Sequence, residues 1–206
     1  MNTANPTPHF DESLKIRRQQ AIVAMLNRVR GRLRDGGDVD SIEFAKGELM
    51  KLCEQSELFP RDDFPVPTRK QKELFFHVHE DQDREYALYV NSALPGQYYG
   101  PHNHGTSWAI IAAIEGDEVH GLYRQTGHST AEWANDITVR PGTAVSMLPG
   151  GIHSIRASGN TPLLHLHFYG QSFEIQGERT EFDLERGTAK YFTMNDSDLS
   201  YIIDMK

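Results

Sequence analysis

The chain has 206 residues, of which 21 are lysine or arginine and 29 are aspartate or glutamate, so its formal net charge is −8. An acidic protein without a long basic stripe repels nucleic acid and anionic membranes, which argues against both as partners. Cys53 is the only cysteine, so an intramolecular disulfide and a multi-cysteine zinc site are excluded.

The sequence has neither the charged-then-apolar layout of a signal peptide nor an apolar run approaching the roughly 18 residues that span a bilayer. We therefore expect a cytoplasmic protein. Its first part has helical periodicity, with a helix predicted from residue 11 to about residues 36–37 and another from about residue 40 to before Pro60. Apolar residues recur every three or four positions in the first helix, at Ile22, Leu26, Val29 and Leu33.

After a proline-rich connector at residues 60–67, the period of the apolar residues changes to two. Many short strands separated by Gly, Pro, Asn and Asp are typical of a barrel or sandwich. We therefore predict an all-β fold with N-terminal helices, in which residues 1–60 form a helical layer and residues 61–206 a β-barrel, within a single structural domain. The predicted strands are 74–79, 86–92, 108–114, 118–123, 137–139, 144–147, 152–157 and 163–169.

Two histidine motifs stand out in this β-rich part. His102 and His104 lie at the predicted entry to a strand, where residues two apart point to the same face and can bind one metal ion. About fifty residues later, the turn sequence PGGIH delivers His153 onto another strand. The two motifs together predict a metal site formed by His102, His104 and His153.

These motifs resemble those of the cupin superfamily. Residues 96–116, GQYYGPHNHGTSWAIIAAIEG, are similar to the first cupin motif, and residues 142–153, GTAVSMLPGGIH, to the second. The resemblance implies a double-stranded β-helix (jelly-roll) barrel. The usual cupin glutamate ligand has no counterpart in residues 105–109, and three histidines without it resemble the thiol dioxygenase branch, typified by cysteine dioxygenase. That branch uses non-heme Fe(II).

A third motif, LHLHFY at residues 164–169, is similar to the strand of that branch that carries an active-site tyrosine. His165, His167 and Tyr169 alternate, so all three are expected to face the barrel interior. The resemblance implies that Tyr169 steers substrate and oxygen and that His167 is its hydrogen-bonding partner. His165 stands where the family typically has a serine, and Ala109 where animal cysteine dioxygenases have the cysteine that crosslinks to the tyrosine.

The arginine that holds the carboxylate of cysteine in that family has no counterpart in residues 74–79. This departure favours a mercapto-acid or another small thiol over cysteine. The candidates for substrate binding are His165, His77 and Arg124, although His77 could equally face solvent and Arg124 could be a surface residue. His120 and His128 are expected to be exposed.

The resemblance thus implies an Fe(II)-dependent thiol dioxygenase that oxidises a small thiol to its sulfinate with O2. Two other functions remain open at this point. Three histidines also form a catalytic zinc site that activates water in a hydrolase or lyase. The chain could also be a non-catalytic, ligand-binding cupin. The expected partners are a small thiol and O2, and the chain could be a monomer or a dimer.

Overall fold

The computed structural model describes residues 8–33 and 37–203. Two predictions reach beyond these residues. The predicted end of the first helix includes residue 36, and the predicted helical layer and β-barrel include residues 1–7 and 204–206. Two helices come first, α1 (Glu12–Leu33) and α2 (Val39–Cys53). Asp38 caps α2, because its carboxylate accepts a hydrogen bond of 2.9 Å from the backbone N–H of Ser41.

Twelve strands follow and form two six-stranded sheets, in the orders β12-β1-β2-β9-β4-β7 and β11-β10-β3-β8-β5-β6. The two sheets face each other and enclose the barrel interior. The structure therefore confirms the predicted jelly-roll barrel with N-terminal helices. The strands are β1 (Glu73–Glu80), β2 (Ala87–Ala93), β3 (Tyr98–His102), β4 (Ala109–Glu115), β5 (Asp117–Gln125), β6 (Ala131–Val139), β7 (Ala144–Met147), β8 (Ile152–Ser158), β9 (Leu163–Tyr169), β10 (Arg179–Asp183), β11 (Thr188–Phe192) and β12 (Tyr201–Ile202).

The first sheet separates two apolar cores. Leu164, Leu166 and Phe168 of β9 pack in one cluster with the buried faces of α1 and α2. Tyr169 belongs to a second cluster, which fills the barrel interior. Because both faces of this sheet are covered, every residue of β2 and β9 is buried.

The first histidine motif does not lie at the entry to a strand, as predicted. His102 is the last residue of β3, and His104 lies in the loop that follows. The strand was missed because Gly100 and Pro101 are residues typical of a turn, and Pro is uncommon inside strands. The strands β10, β11 and β12 and most of β6 were also missed. None of the described helices is long and apolar enough to cross a membrane.

Candidate metal centre and active-site cavity

The three predicted metal ligands come together at one end of the barrel. In the register of β3 and β8, His102 lies directly opposite His153, and His104 follows two residues later. The nitrogen atoms that these three side chains offer all lie within 4.8 Å of one another. The Nε2 atoms of His104 and His153 are 3.2 Å apart.

Hydrogen bonds on the far side of the rings fix their orientation. His102 donates from Nδ1 to the carbonyl oxygen of Gly100 over 2.8 Å, and Nδ1 of His153 lies 2.9 Å from Nδ1 of His120. This leaves Nε2 of both ligands to face the centre. Burial lowers the pKa of His102 to about 4 and holds the pKa values of His104 and His153 well below 6.5. The imidazoles are therefore neutral near pH 7, which is the form that binds a metal.

This donor set fits a divalent transition metal. Three neutral imidazoles suit iron, zinc, copper or nickel rather than magnesium or calcium, which prefer oxygen ligands. The chain therefore has a double-sheet β-barrel with a three-histidine centre that can hold a metal ion.

A cavity of about 350 Å³ opens beside this centre. Its wall contains His102 and His104 together with polar and aromatic groups from both sheets and from the segment after β11. Such a mixed lining is typical of a site for a small molecule. The groups that bear on its chemistry are His102, His104, Phe75, His167, Tyr169, Phe173 and Arg179.

Tyr169 and His167 lie close together on the inner face of β9. The Tyr169 ring is 5.3 Å from the His104 ring, centroid to centroid, and its hydroxyl is 3.3 Å from Nδ1 of His167. Burial, opposed by nearby Arg179, raises the pKa of Tyr169 to about 12, and burial lowers the pKa of His167 to about 3. At neutral pH the tyrosine is therefore a protonated donor beside a neutral imidazole. Ala109 lies directly opposite Tyr169 in the β4–β9 register, so the side chain paired with the tyrosine on β4 is only a methyl group.

Arg179, the first residue of β10, is a site residue that the sequence analysis missed. It is only 3% exposed, and its guanidinium carbon lies 5.1 Å from the centre of the Phe173 ring and 5.7 Å from that of Tyr169. Nε donates a 2.9 Å hydrogen bond to Oε1 of Gln176, and Nη2 donates to the same oxygen. Because Gln176 is neutral, the positive charge remains available to an anionic group in the cavity.

Asn103, which lies between the predicted ligands His102 and His104, positions this arginine. The side-chain oxygen of Asn103 accepts a 2.9 Å hydrogen bond from the backbone N–H of Thr180. The backbone N–H of Asn103 donates to the Thr180 carbonyl oxygen over 3.0 Å. Arg179 is thus tied through its chain neighbour to the loop between the two histidine ligands. The ligand loop and the arginine are held as one unit.

The three residues predicted to bind substrate, His165, His77 and Arg124, are not part of the lining of this cavity. Arg124 is at the surface, with 78% of its side chain exposed, and pairs with Glu132. His77 stacks on Tyr89, and its Nε2 is 3.7 Å from a carboxylate oxygen of Glu80.

His165 faces the barrel interior as predicted, but both of its ring nitrogens already have partners. Nδ1 is 3.2 Å from Oε2 of Glu118, and Nε2 is 3.3 Å from the carbonyl oxygen of Gly116. His165 therefore has no nitrogen left for a substrate or for His167. The Nε2 atom of His167 has no hydrogen-bond partner among the described residues.

His120 was expected at the surface, yet it is completely buried. Along β5, Glu118 and His120 are buried, whereas Val119 between them is only partly buried. Two polar groups can occupy this interior because they bond to each other, with 3.0 Å between His120 Nε2 and Glu118 Oε2. His128 is exposed, as expected.

A scan of protein-family models found no match to the chain, and a search of curated proteins also found none. Among solved structures, the chain is similar to KdgF from Halomonas sp., with 14% identity and a TM-score of 0.41 over 50% of this chain and 84% of that one. It is similar to oxalate oxidase in complex with the substrate analogue glycolate, with 16% identity and a TM-score of 0.41 over 48% of this chain. The match spans 51% of that oxalate oxidase chain. The cupin domain of Schizosaccharomyces pombe Cnp3 has 11% identity and a TM-score of 0.41 over 50% of this chain and 66% of that one.

Proposed function

We propose that this chain is an iron(II)-dependent dioxygenase that oxidises a small thiol carrying a carboxylate, such as a mercapto-acid, to its sulfinate. One observation carries the proposal. Two of the three converging histidines, His102 and His104, line a single cavity with the hydroxyl-bearing Tyr169 and the buried cation of Arg179. The cavity therefore offers a metal position, a proton donor and an anion-binding group to one small molecule.

The reaction combines a thiol, RSH, with O2 to give a sulfinate, RSO2⁻, and a proton. Both oxygen atoms form bonds to sulfur, while the O–O and S–H bonds break. The sulfur gives up the four electrons that reduce dioxygen, so the reaction needs no other reductant.

His102, His104 and His153 would hold the metal. Iron(II) held by three histidines supplies open coordination positions for a thiolate and for dioxygen, together with the electron transfer between them. Because the three ligands are neutral, they leave the charge of the metal uncompensated, which favours a bound thiolate over a neutral thiol.

Arg179 would bind the carboxylate of the substrate. A guanidinium donates two parallel hydrogen bonds to a carboxylate, which orients the rest of the molecule as well as binding it. Its place in the cavity wall, next to Tyr169, would aim the other end of a short mercapto-acid at the histidines. This role replaces the one that the sequence analysis considered for Arg124.

Tyr169 would donate a hydrogen bond to the reacting end of the substrate. Its raised pKa keeps the hydroxyl protonated, so it acts as a donor and not as a base. His167 would hold the direction of that hydroxyl from 3.3 Å. Phe75 and Phe173 form an apolar wall that limits water in the same space.

Oxygen consumption by the iron(II)-reconstituted protein tests this proposal. The thiols to compare are 3-mercaptopropionate, mercaptosuccinate, cysteine and cysteamine, with His153→Ala as the metal-site control. We expect one molecule of O2 to be consumed for each molecule of carboxylate-bearing thiol that is oxidised. When the reaction uses ¹⁸O2, the sulfinate product should contain two labelled oxygen atoms. The His153→Ala control should consume no oxygen.

Two results would overturn the proposal. The first is the absence of oxygen uptake with every thiol although iron is shown to be bound. The second is that protein purified without added metal contains zinc and does not consume oxygen after the zinc is replaced with iron(II). The second result would favour water activation by zinc.

A further inference from the structure

Beside the metal ligands lies a row of buried polar groups to which the proposed reaction gives no role, although one of them, Glu118, also lines the cavity. Glu118 and His120 on β5 are 3% and 0% exposed. Nδ1 of His120 lies 2.9 Å from Nδ1 of His153, and Nε2 of His120 lies 3.0 Å from Oε2 of Glu118. A continuous path of hydrogen bonds therefore runs from a metal ligand to a buried carboxylate.

The register of the second sheet produces this row. In the β5–β8 pairing, Leu122 lies opposite His153 and His120 lies opposite Ile155. His120 is therefore the diagonal neighbour of His153 on the same face of the sheet. The two imidazole rings are stacked, with an interplanar angle of 9° and 5.1 Å between their centroids. Glu118 comes two residues earlier in β5 and so points to the same side.

The geometry allows one consistent placement of protons. Nε2 of His153 faces the metal centre, since it is 3.2 Å from Nε2 of His104. The proton of His153 is then on Nδ1, which donates to Nδ1 of His120. His120 therefore carries its own proton on Nε2 and donates it to Glu118. Each donor in the row meets an acceptor.

The carboxylate at the end of the row is anchored from the opposite sheet. Oε2 of Glu118 also accepts from Nδ1 of His165 on β9, over 3.2 Å, and Nε2 of His165 faces the Gly116 carbonyl oxygen. Burial alone would raise the pKa of Glu118, but His165 and His120 hold it well below its usual value. Glu118 is therefore a fixed anion held by two histidines.

We propose that Glu118 and His120 are positioning residues that fix the ring orientation and tautomer of His153 and strengthen it as a metal ligand. Carboxylates commonly orient metal-binding histidines by direct hydrogen bonding. Here an imidazole stands between the carboxylate and the ligand. The inference rests on the proposed function only in requiring that the three histidines bind a metal, and it needs neither a thiol nor dioxygen.

Iron(II) affinity, measured without oxygen by competition with a chromophoric chelator, tests the inference. We expect Glu118→Gln and His120→Phe each to raise the Kd about 10- to 100-fold. Because Glu118 acts through His120, adding Glu118→Gln to the His120→Phe variant should raise the Kd no further. His128→Phe, which replaces an exposed histidine, is the matched control and should leave the Kd unchanged.

Nitrogen NMR of the metal-free protein gives a second measurement. We expect His153 to be protonated at Nδ1 in the wild type and to lose that preference in His120→Phe. In the iron-loaded protein, Glu118→Gln should raise the reduction potential, because a weaker donor stabilises the oxidised metal less. A role in packing alone would lower the free energy of unfolding but would not move these values.

An unchanged iron Kd in Glu118→Gln, with His153 still protonated at Nδ1 in His120→Phe, would overturn the inference. Should His120→Phe fail to fold, Glu118→Gln decides the matter, because glutamine keeps the shape of glutamate but replaces its carboxylate with a neutral amide. The two proposals can fail separately. The expected Kd pattern without oxidation of any thiol would refute only the dioxygenase, whereas thiol oxidation with an unchanged Kd would refute only the role of Glu118 and His120.

Discussion

Replacing Arg179 separates recognition of the substrate carboxylate from the chemistry at the histidines. Arg179→Gln removes the charge but keeps a side chain that can hydrogen-bond to the amide of Gln176. None of the three histidine ligands hydrogen-bonds to Arg179, so iron binding should be retained. We expect a higher KM for carboxylate-bearing thiols and an unchanged iron content.

The magnitude follows from the burial of the guanidinium. Arg179 is 3% exposed, so a carboxylate that binds to it loses most of its competing contacts with water. A hydrogen bond to a charged group contributes about 1.5–3 kcal/mol. Since about 1.4 kcal/mol corresponds to a tenfold change in an equilibrium constant, the expected loss in kcat/KM is roughly 10- to 150-fold.

Oxygen uptake with 3-mercaptopropionate and with cysteamine, which has no carboxylate, measures this effect. Arg179→Gln should lose activity with 3-mercaptopropionate. Its activity with cysteamine should fall less than threefold relative to the wild type. Arg124→Gln provides the matched control, because Arg124 is exposed and lies outside the cavity. Equal losses with both thiols would refute the assignment of Arg179 to the carboxylate.

Three further predictions follow from the site and its supporting loop. Tyr169→Phe should lower kcat at least tenfold without changing the iron content, and loss of iron in that variant would contradict the role of its hydroxyl. Burial lowers the pKa of His167 from 6.5 to about 3, so its contribution to stability is complete above pH 6.5 and is lost as the pH falls. Between pH 7 and pH 5 this loss amounts to about 2 kcal/mol of unfolding free energy in the metal-free protein. Urea unfolding should therefore show a smaller fall in this free energy, by that amount, in His167→Gln than in the wild type. An equal fall in both proteins would refute the lowered pKa of His167. Gly105→Ala places a Cβ atom 2.3 Å from the Gln176 carbonyl oxygen at a φ of +60°, whereas Gly96→Ala, with a φ of +83°, meets nothing within 4 Å. Urea unfolding should therefore show a cost about 1–3 kcal/mol larger for Gly105→Ala than for Gly96→Ala, and equal costs would contradict the close contact.

Much of the fold could be predicted from the sequence because its central strands are apolar and bounded by turn residues. The predicted runs 144–147 and 163–169 coincide with β7 and β9. The metal ligands could be predicted because the two histidine motifs are local patterns. Their convergence follows from one register, in which His102 faces His153 across β3 and β8.

Arg179 could not be found in this way, because its place in the site depends on a contact between distant parts of the chain. It begins a short strand in a segment rich in acidic residues, without the alternation of apolar residues that marks β9. The structural reason for its position is the pair of hydrogen bonds between Asn103 and Thr180. Sequence spacing does not encode such a pairing.

Glu118 and His120 were missed for a different reason. Polar residues that alternate with Val119 normally face solvent, since unpaired polar groups are costly inside a protein. In this barrel Glu118 has two histidine partners, His120 on its own strand and His165 from the opposite sheet. Only the three-dimensional arrangement shows that the cost is offset.

The position of β9 between two cores determines which substitutions can affect the active site. Phe168 packs with the helices, while its neighbour Tyr169 faces the cavity. Close-packed interiors transmit small displacements along a strand instead of absorbing them. Substitutions in the helical layer, far from any ligand, can therefore shift the direction of the tyrosine hydroxyl, so that the helices offer a route for evolution or engineering to alter turnover without touching the metal centre.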